Sequence, residues 1–159
     1  MTENSLNMLI TQEILDILTE TFESVKGIYL DRGTSLFETL ATISAEEASR
    51  PVSATCATIA AQVEHVRYYL DILGSYMNGI KPENVNWNEI WQTVSVVTPP
   101  DWEASQTRLQ ESYQRTVAAV KGFESWEGED RLGGALALLV HTAYHLGEIR
   151  QALCVVKGA

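Results

Sequence analysis

Apolar residues recur at helical spacing in four long stretches of the chain. Within each stretch they lie three or four positions apart, which places their side chains on one face of an α-helix. The four stretches cover residues 9–30, 53–78, 101–121 and 131–156. No stretch alternates between apolar and polar residues over a length that favours a β-strand. The pattern therefore predicts an all-α chain with four principal helices.

Polar residues mark the starts of further helical segments. Thr34 is expected to cap a short helix that contains Phe37. Ser44 and Glu47 have the spacing of a capping box, in which each side chain binds the other residue's backbone N–H group. Thr98 is followed by two prolines and an aspartate, which is typical of a helix N-terminus and predicts the start of the third long helix.

A long connection, residues 79–100, separates the second and third long helices. It has room for one helical turn around Trp87 to Trp91, and these aromatic residues, with Trp102, can serve an interface or cover the core. The connection is long enough to return the chain across the molecule, so the two helices it joins can run parallel. Residues 1–159 are expected to form a single domain, a four-helix bundle around one core.

Charge and hydropathy exclude several classes of partner. The formal net charge is −10, and Lys and Arg are scattered singly. Nucleic acids and anionic lipids are bound by clustered cations, so neither is an expected partner. No window contains the ~18 uninterrupted apolar residues of a membrane span. The N-terminal stretch lacks the basic and apolar regions of a signal peptide, so a cytoplasmic location is expected.

The two cysteines are far apart in sequence. Cys56 and Cys154 do not belong to a C-x-x-C pair. This favours two buried, reduced thiols over a disulfide or a zinc site.

The chain has three histidines, and their placement suggests a metal site. His141 and His145 lie four residues apart, ~40° on a helical wheel, in the sector of the apolar Leu138 and Ile149. They should therefore be buried or line a cleft. His65 lies beside the apolar stripe of the second long helix. Imidazoles that converge from facing helices suit Zn, Ni, Cu or Fe, and three of them leave a coordination position open. Metal–nitrogen distances of ~2.0–2.2 Å are expected when the site is loaded.

Other interpretations of these residues remain. Separate buried histidines can each bind a backbone carbonyl or a carboxylate and have no other role. The H-E-x-x-H pattern of zinc proteases is absent, because residue 142 is Thr142 rather than glutamate. A di-iron carboxylate site needs Glu-x-x-His on two helices, whereas Glu148 follows His145 in the reverse order.

Several neighbouring polar residues are candidates for supporting roles. Glu148 can orient a ligand imidazole or face solvent, and both are favoured over direct coordination. Glu64 points ~100° away from His65 and is expected on a solvated face. Tyr69 and Tyr144 can donate protons, although packing at the edge of the core is favoured for both.

Two segments together resemble the DinB/YfiT-like superfamily. They are "TIAAQVEHVRYYLDIL", which contains His65, and "HTAYHLGEIRQAL", which begins at His141. The resemblance covers roughly residues 9–157 and rests on histidine placement, helix order and the His-x-x-x-His-x-Gly-x-Ile-Arg-Gln ending.

The resemblance implies a four-helix bundle of up-down-down-up topology that forms a homodimer. It implies a divalent metal ion, nickel or zinc among others, held by His65, His141 and His145. It also implies a small-molecule substrate, because characterised members include S-transferases and isomerases that use low-molecular-weight thiols. Relatives often have Gln where this chain has Glu148. The alternative is a non-enzymatic dimeric bundle whose histidines bind metal for structure or sensing, or bind nothing.

Overall fold

The structure, a computed structural model, describes residues 2–158. These residues form helices and connecting loops without a β-strand, so the all-α class is confirmed for this part of the chain. The helices are α1 (Glu3–Phe22), α2 (Leu36–Leu40), α3 (Ala45–Ser49), α4 (Ile59–Met77), α5 (Glu89–Thr93), α6 (Pro99–Gly122) and α7 (Arg131–Gly158).

Three of the four long helices lie close to their predicted positions. The helix predicted at 53–78 begins later, at Ile59, because the Thr58 hydroxyl caps it by accepting the backbone N–H of Ala61. α6 begins at Pro99, after the predicted N-terminal signal at Thr98, and it has a capping box in which Thr98 and Asp101 bind each other's backbone. The last helix, α7, begins where predicted, at residue 131.

The prediction for the first long helix was wrong at both ends. α1 begins at Glu3, where Thr2 caps it, and ends at Phe22 rather than at residue 30. The buried Glu20 carboxylate accepts four backbone N–H groups from the chain beyond the helix, those of residues 26, 28, 29 and 30. These hydrogen bonds fold the segment back against α1, and Ile28, predicted to continue the apolar stripe, is 51% exposed.

The short helices agree with the capping signals, with one correction. Ser44 and Glu47 form the predicted capping box at the start of α3. The N-cap of α2 is Ser35 rather than Thr34, and Glu38 completes its capping box. α5 supplies the helical turn that was expected in the long connection.

Packing between the long helices brings α4 and α7 side by side. α4 contacts both α6 and α7, and α1 contacts the same two helices. The shared core is apolar and includes Leu18, Val66, Leu109, Leu138 and Leu146. None of the helices formed by residues 2–158 combines the length and apolar character that a membrane crossing requires. The contact between α4 and α7 determines where their histidines meet.

Candidate metal centre

The three histidines lie together at the contact between α4 and α7. One ring nitrogen from each of His65, His141 and His145 lies within 4.8 Å of the others. The Nε2 atoms of His65 and His141 are 3.1 Å apart. Two nitrogens that share an ion at ~2.0–2.1 Å cannot be more than ~4.2 Å apart, so at most a small side-chain rotation separates this arrangement from a ligand set. The group can hold a metal ion.

Aromatic side chains fix the orientation of two of these imidazoles. Tyr69, one turn after His65 on α4, stacks on His141 with ring centroids 3.4 Å apart and an interplanar angle of 6°. Trp91 of α5 lies over His65, with centroids 4.4 Å apart. Packing was favoured for Tyr69 in the sequence, whereas the contact between Trp91 and His65 was missed. The rings therefore have little freedom to turn away from one another.

The cluster contains buried polar atoms that have no hydrogen-bond partner. Within residues 2–158 such side-chain atoms are Nδ1 of His65, Nδ1 of His141, Nδ1 of His145 and Oε1 of Gln62. Buried polar atoms are nearly always paired, and an unpaired one often marks a functional site. All four belong to the histidine cluster or to Gln62, one helical turn before His65. The Nδ1 atoms of His65 and His141 therefore disagree with the interpretation that each histidine is separately satisfied by its own carbonyl or carboxylate, whereas Nδ1 of His145 has a carboxylate beside it.

Glu148 lies beside the third histidine. Its Oε2 atom is 2.9 Å from Nδ1 of His145. The half-buried carboxylate is thus within hydrogen-bonding distance of this ring nitrogen. Glu148 is therefore placed to orient His145, one of the two favoured roles, and it is not among the converging ligand atoms.

Burial keeps the imidazoles neutral near pH 7. Desolvation and the neighbouring His145 lower the pKa of His65 to about 4. Desolvation, followed by His145 and His65, lowers the pKa of His141 to about 3. Desolvation also lowers the pKa of His145, and the Glu148 carboxylate opposes that shift. Neutral imidazole is the form that binds a cation, so the cluster is ready to coordinate at neutral pH.

A cleft opens beside the cluster. Its volume is about 520 Å³, and its lining includes His145, Glu148, Gln62 and Trp91. Tyr144, expected at the edge of the core, instead lies exposed on the rim of this cleft. A molecule in the cleft would therefore have direct access to the histidine cluster.

The remaining candidates lie away from the histidine nitrogens. Glu64 is partly buried in ion pairs with Arg67 and Arg108, rather than solvated as expected. Cys56 and Cys154 are free thiols, but both are exposed, so the prediction that they are buried was wrong. Cys56 lies in the irregular segment before α4 and lines the same cleft as His145.

Three neutral imidazoles beside a cleft can hold a cation and present it to a small molecule. Among helical proteins such a site supports metal-assisted reactions or metal binding alone. Compared with family models, curated proteins and solved structures, the chain matches none.

Proposed function

We propose that this protein is a divalent-metal-dependent enzyme that acts on a small molecule. The observation that carries the proposal is the convergence of one ring nitrogen from each of His65, His141 and His145, within 4.8 Å of one another, next to an open cleft. Three protein ligands leave a coordination position open, which is typical of a catalytic rather than a structural site. The resemblance to the DinB/YfiT-like superfamily supports the same function and suggests nickel or zinc.

Each residue of the site has a part in this proposal. The three imidazoles hold the ion, and the neutral state of His65 and His141 keeps them available as ligands. Tyr69 and Trp91 restrain the rings, while Glu148 orients His145. When bound, a divalent ion lowers the pKa of a coordinated water or thiol, which gives a nucleophile near neutral pH. A low-molecular-weight thiol is the proposed co-substrate, as the family resemblance suggests.

The proposal includes the arrangement of the chain. We infer a four-helix bundle of α1, α4, α6 and α7 in up-down-down-up order, supported by the packing of α1 and α4 on the other two helices. We also propose a homodimer, on the family resemblance. Small-angle scattering at tens of micromolar should give the mass of two chains, and the mass of one chain would contradict the dimer.

Metal content tests the proposed site. Protein purified without a histidine tag should contain about one divalent ion per chain. His145→Ala should lose it, because two imidazoles remain. Tyr144→Phe changes the exposed neighbour of His145 and serves as the matched control that retains the ion. Metal-free wild-type protein that also fails to take up nickel or zinc would contradict the proposal.

A reaction screen then separates an enzyme from a metal-binding module. Metal-loaded protein is incubated with low-molecular-weight thiols and electrophilic small molecules, and consumption of the free thiol is measured. Turnover in the wild type that is lost in His145→Ala supports the enzyme. Full metal occupancy without turnover of any pair would favour the alternative, a bundle that binds metal for structure or sensing.

A further inference from the structure

The rim of the cleft is apolar although it is exposed. Val52, Trp91, Tyr144 and Val155 all line the cleft, and each is more than one third exposed. Large apolar side chains that gather around a concave surface commonly mark a binding site. Their position beside His145 suggests that an apolar body rests on the rim while another part of the molecule reaches the histidines.

The charge of the cleft limits what can bind there. Among the described residues that line it, Glu148 is the one carboxylate, and neither Lys nor Arg is present. A divalent ion and Glu148 together leave one positive charge, which a single anionic head group on the ligand would balance. A second negative charge on the ligand would meet Glu148 with no cation to offset it, and like charges in contact are costly.

Gln62 supplies a hydrogen-bonding position in the cleft. The residue is 8% exposed and lines the cleft, and its Oε1 atom is buried without a hydrogen-bond partner. An unpaired buried acceptor is costly, so a donor that reaches it is favoured over a molecule that leaves it unpaired. Gln151 also lines the cleft, but it is exposed to water, so its amide does not favour a ligand that carries a donor in the same way.

We propose that the cleft selects a small molecule with an apolar body, no negative charge beyond its metal-directed head, and a hydrogen-bond donor that pairs with Gln62. This inference rests on the proposed function, because the head group is placed by the histidine site. It excludes phosphorylated compounds and dicarboxylates as preferred ligands. Ligands whose apolar body is neutral or carries a positive charge remain as candidates.

Three probes that share one metal-binding head test the selection. They are benzohydroxamate, its 4-aminomethyl derivative, which adds a cationic donor, and its 4-carboxy derivative, which adds a second anion. Each is titrated into zinc-loaded protein at pH 7 by calorimetry, after the zinc content has been measured. We expect the 4-carboxy probe to bind at least about tenfold more weakly than benzohydroxamate. The 4-aminomethyl probe should bind more tightly than benzohydroxamate.

Single substitutions identify the residues that are responsible for this ligand preference. Gln62→Leu should remove the advantage of the 4-aminomethyl probe, whereas the matched Gln151→Leu should keep it. In samples that retain zinc, Glu148→Gln should reduce the difference in affinity between the 4-carboxy probe and benzohydroxamate.

The outcomes separate this inference from the function it rests on. Wild-type protein that takes up neither zinc nor nickel would overturn the proposed function and this inference with it. Full zinc occupancy with equal binding of the three probes, tighter binding of the 4-carboxy probe, or no binding of any probe would overturn the inference alone. An unchanged preference for the 4-aminomethyl probe in Gln62→Leu would overturn the role of Gln62.

Discussion

Acid should destabilise the metal-free protein through its buried histidines. The fold keeps His65 and His141 neutral, because their pKa values are lowered from the ordinary 6.5 to about 4 and about 3. The unfolded chain binds protons at both residues as the pH falls below 6.5. Their contribution to stability is therefore complete above pH 6.5 and is lost progressively as the pH falls toward the folded pKa values.

The size of the effect follows from these shifts. Between pH 7 and pH 5, proton binding by the unfolded state is worth about 1.8 kcal/mol for each histidine. Two histidines give about 3–4 kcal/mol as an upper limit, because the groups interact and titrate together. Screening by the solvent of the cleft reduces the expected loss to about 2 kcal/mol.

Urea unfolding of chelator-treated protein measures this loss at several pH values. The comparison is between the wild type and the double variant His65→Asn/His141→Gln, which has the same carboxylates but lacks these two titrating groups. The free energy of unfolding should fall from pH 7 to pH 5 by about 2 kcal/mol more in the wild type than in the variant. Equal losses in the two proteins, with unchanged dependence on urea, would refute the conclusion that the fold holds these histidines neutral.

Two further predictions concern stability. Glu20→Gln should lower the melting temperature by about 5 °C or more, because an amide cannot accept all the N–H groups that the carboxylate binds. The control Glu13→Gln, at an exposed residue of the same helix, should change the melting temperature by less than about 2 °C. Equal effects of the two substitutions in a thermal melt would contradict this account of the loop after α1. Gly147→Ala should raise the free energy of unfolding by about 0.5–1 kcal/mol, since no atom lies within 4 Å of the added Cβ. Gly134→Ala should lower the free energy of unfolding by about 1 kcal/mol or more, because the new Cβ would lie 2.8 Å from Cγ of the buried Met77. A denaturant titration in which both glycine substitutions change the free energy of unfolding in the same direction would contradict the packing described for α7.

Features encoded by neighbouring residues could be predicted from the sequence. The capping box of Ser44 with Glu47 forms from residues three apart, so its spacing identifies it, and the two prolines after Thr98 mark the start of α6. The pairing of His141 with His145 follows from the helical repeat. Their approach to His65 depends on the contact between α4 and α7, which the apolar stripes do not specify and which the family resemblance implied.

Features that depend on distant contacts could not be predicted in this way. The end of α1 is determined by a carboxylate that binds backbone four to eight residues beyond the helix, and the apolar spacing of Val25 and Ile28 continues past that point. The contact of Trp91 with His65 depends on where the long connection places α5. The isolation of Gln62 from any partner depends on every side chain around it.

X-ray absorption at the metal edge tests the central claim, that the three histidines hold one ion. Tag-free protein loaded with one equivalent of zinc should show three imidazole nitrogens at ~2.0–2.1 Å, together with a water oxygen at the open position. His65→Ala, the variant that removes the ligand from α4, should lose this histidine-bound zinc signal, because two imidazoles remain, as in His145→Ala. A sulfur ligand at ~2.3 Å, or fewer than three imidazoles in the wild type, would contradict the claim.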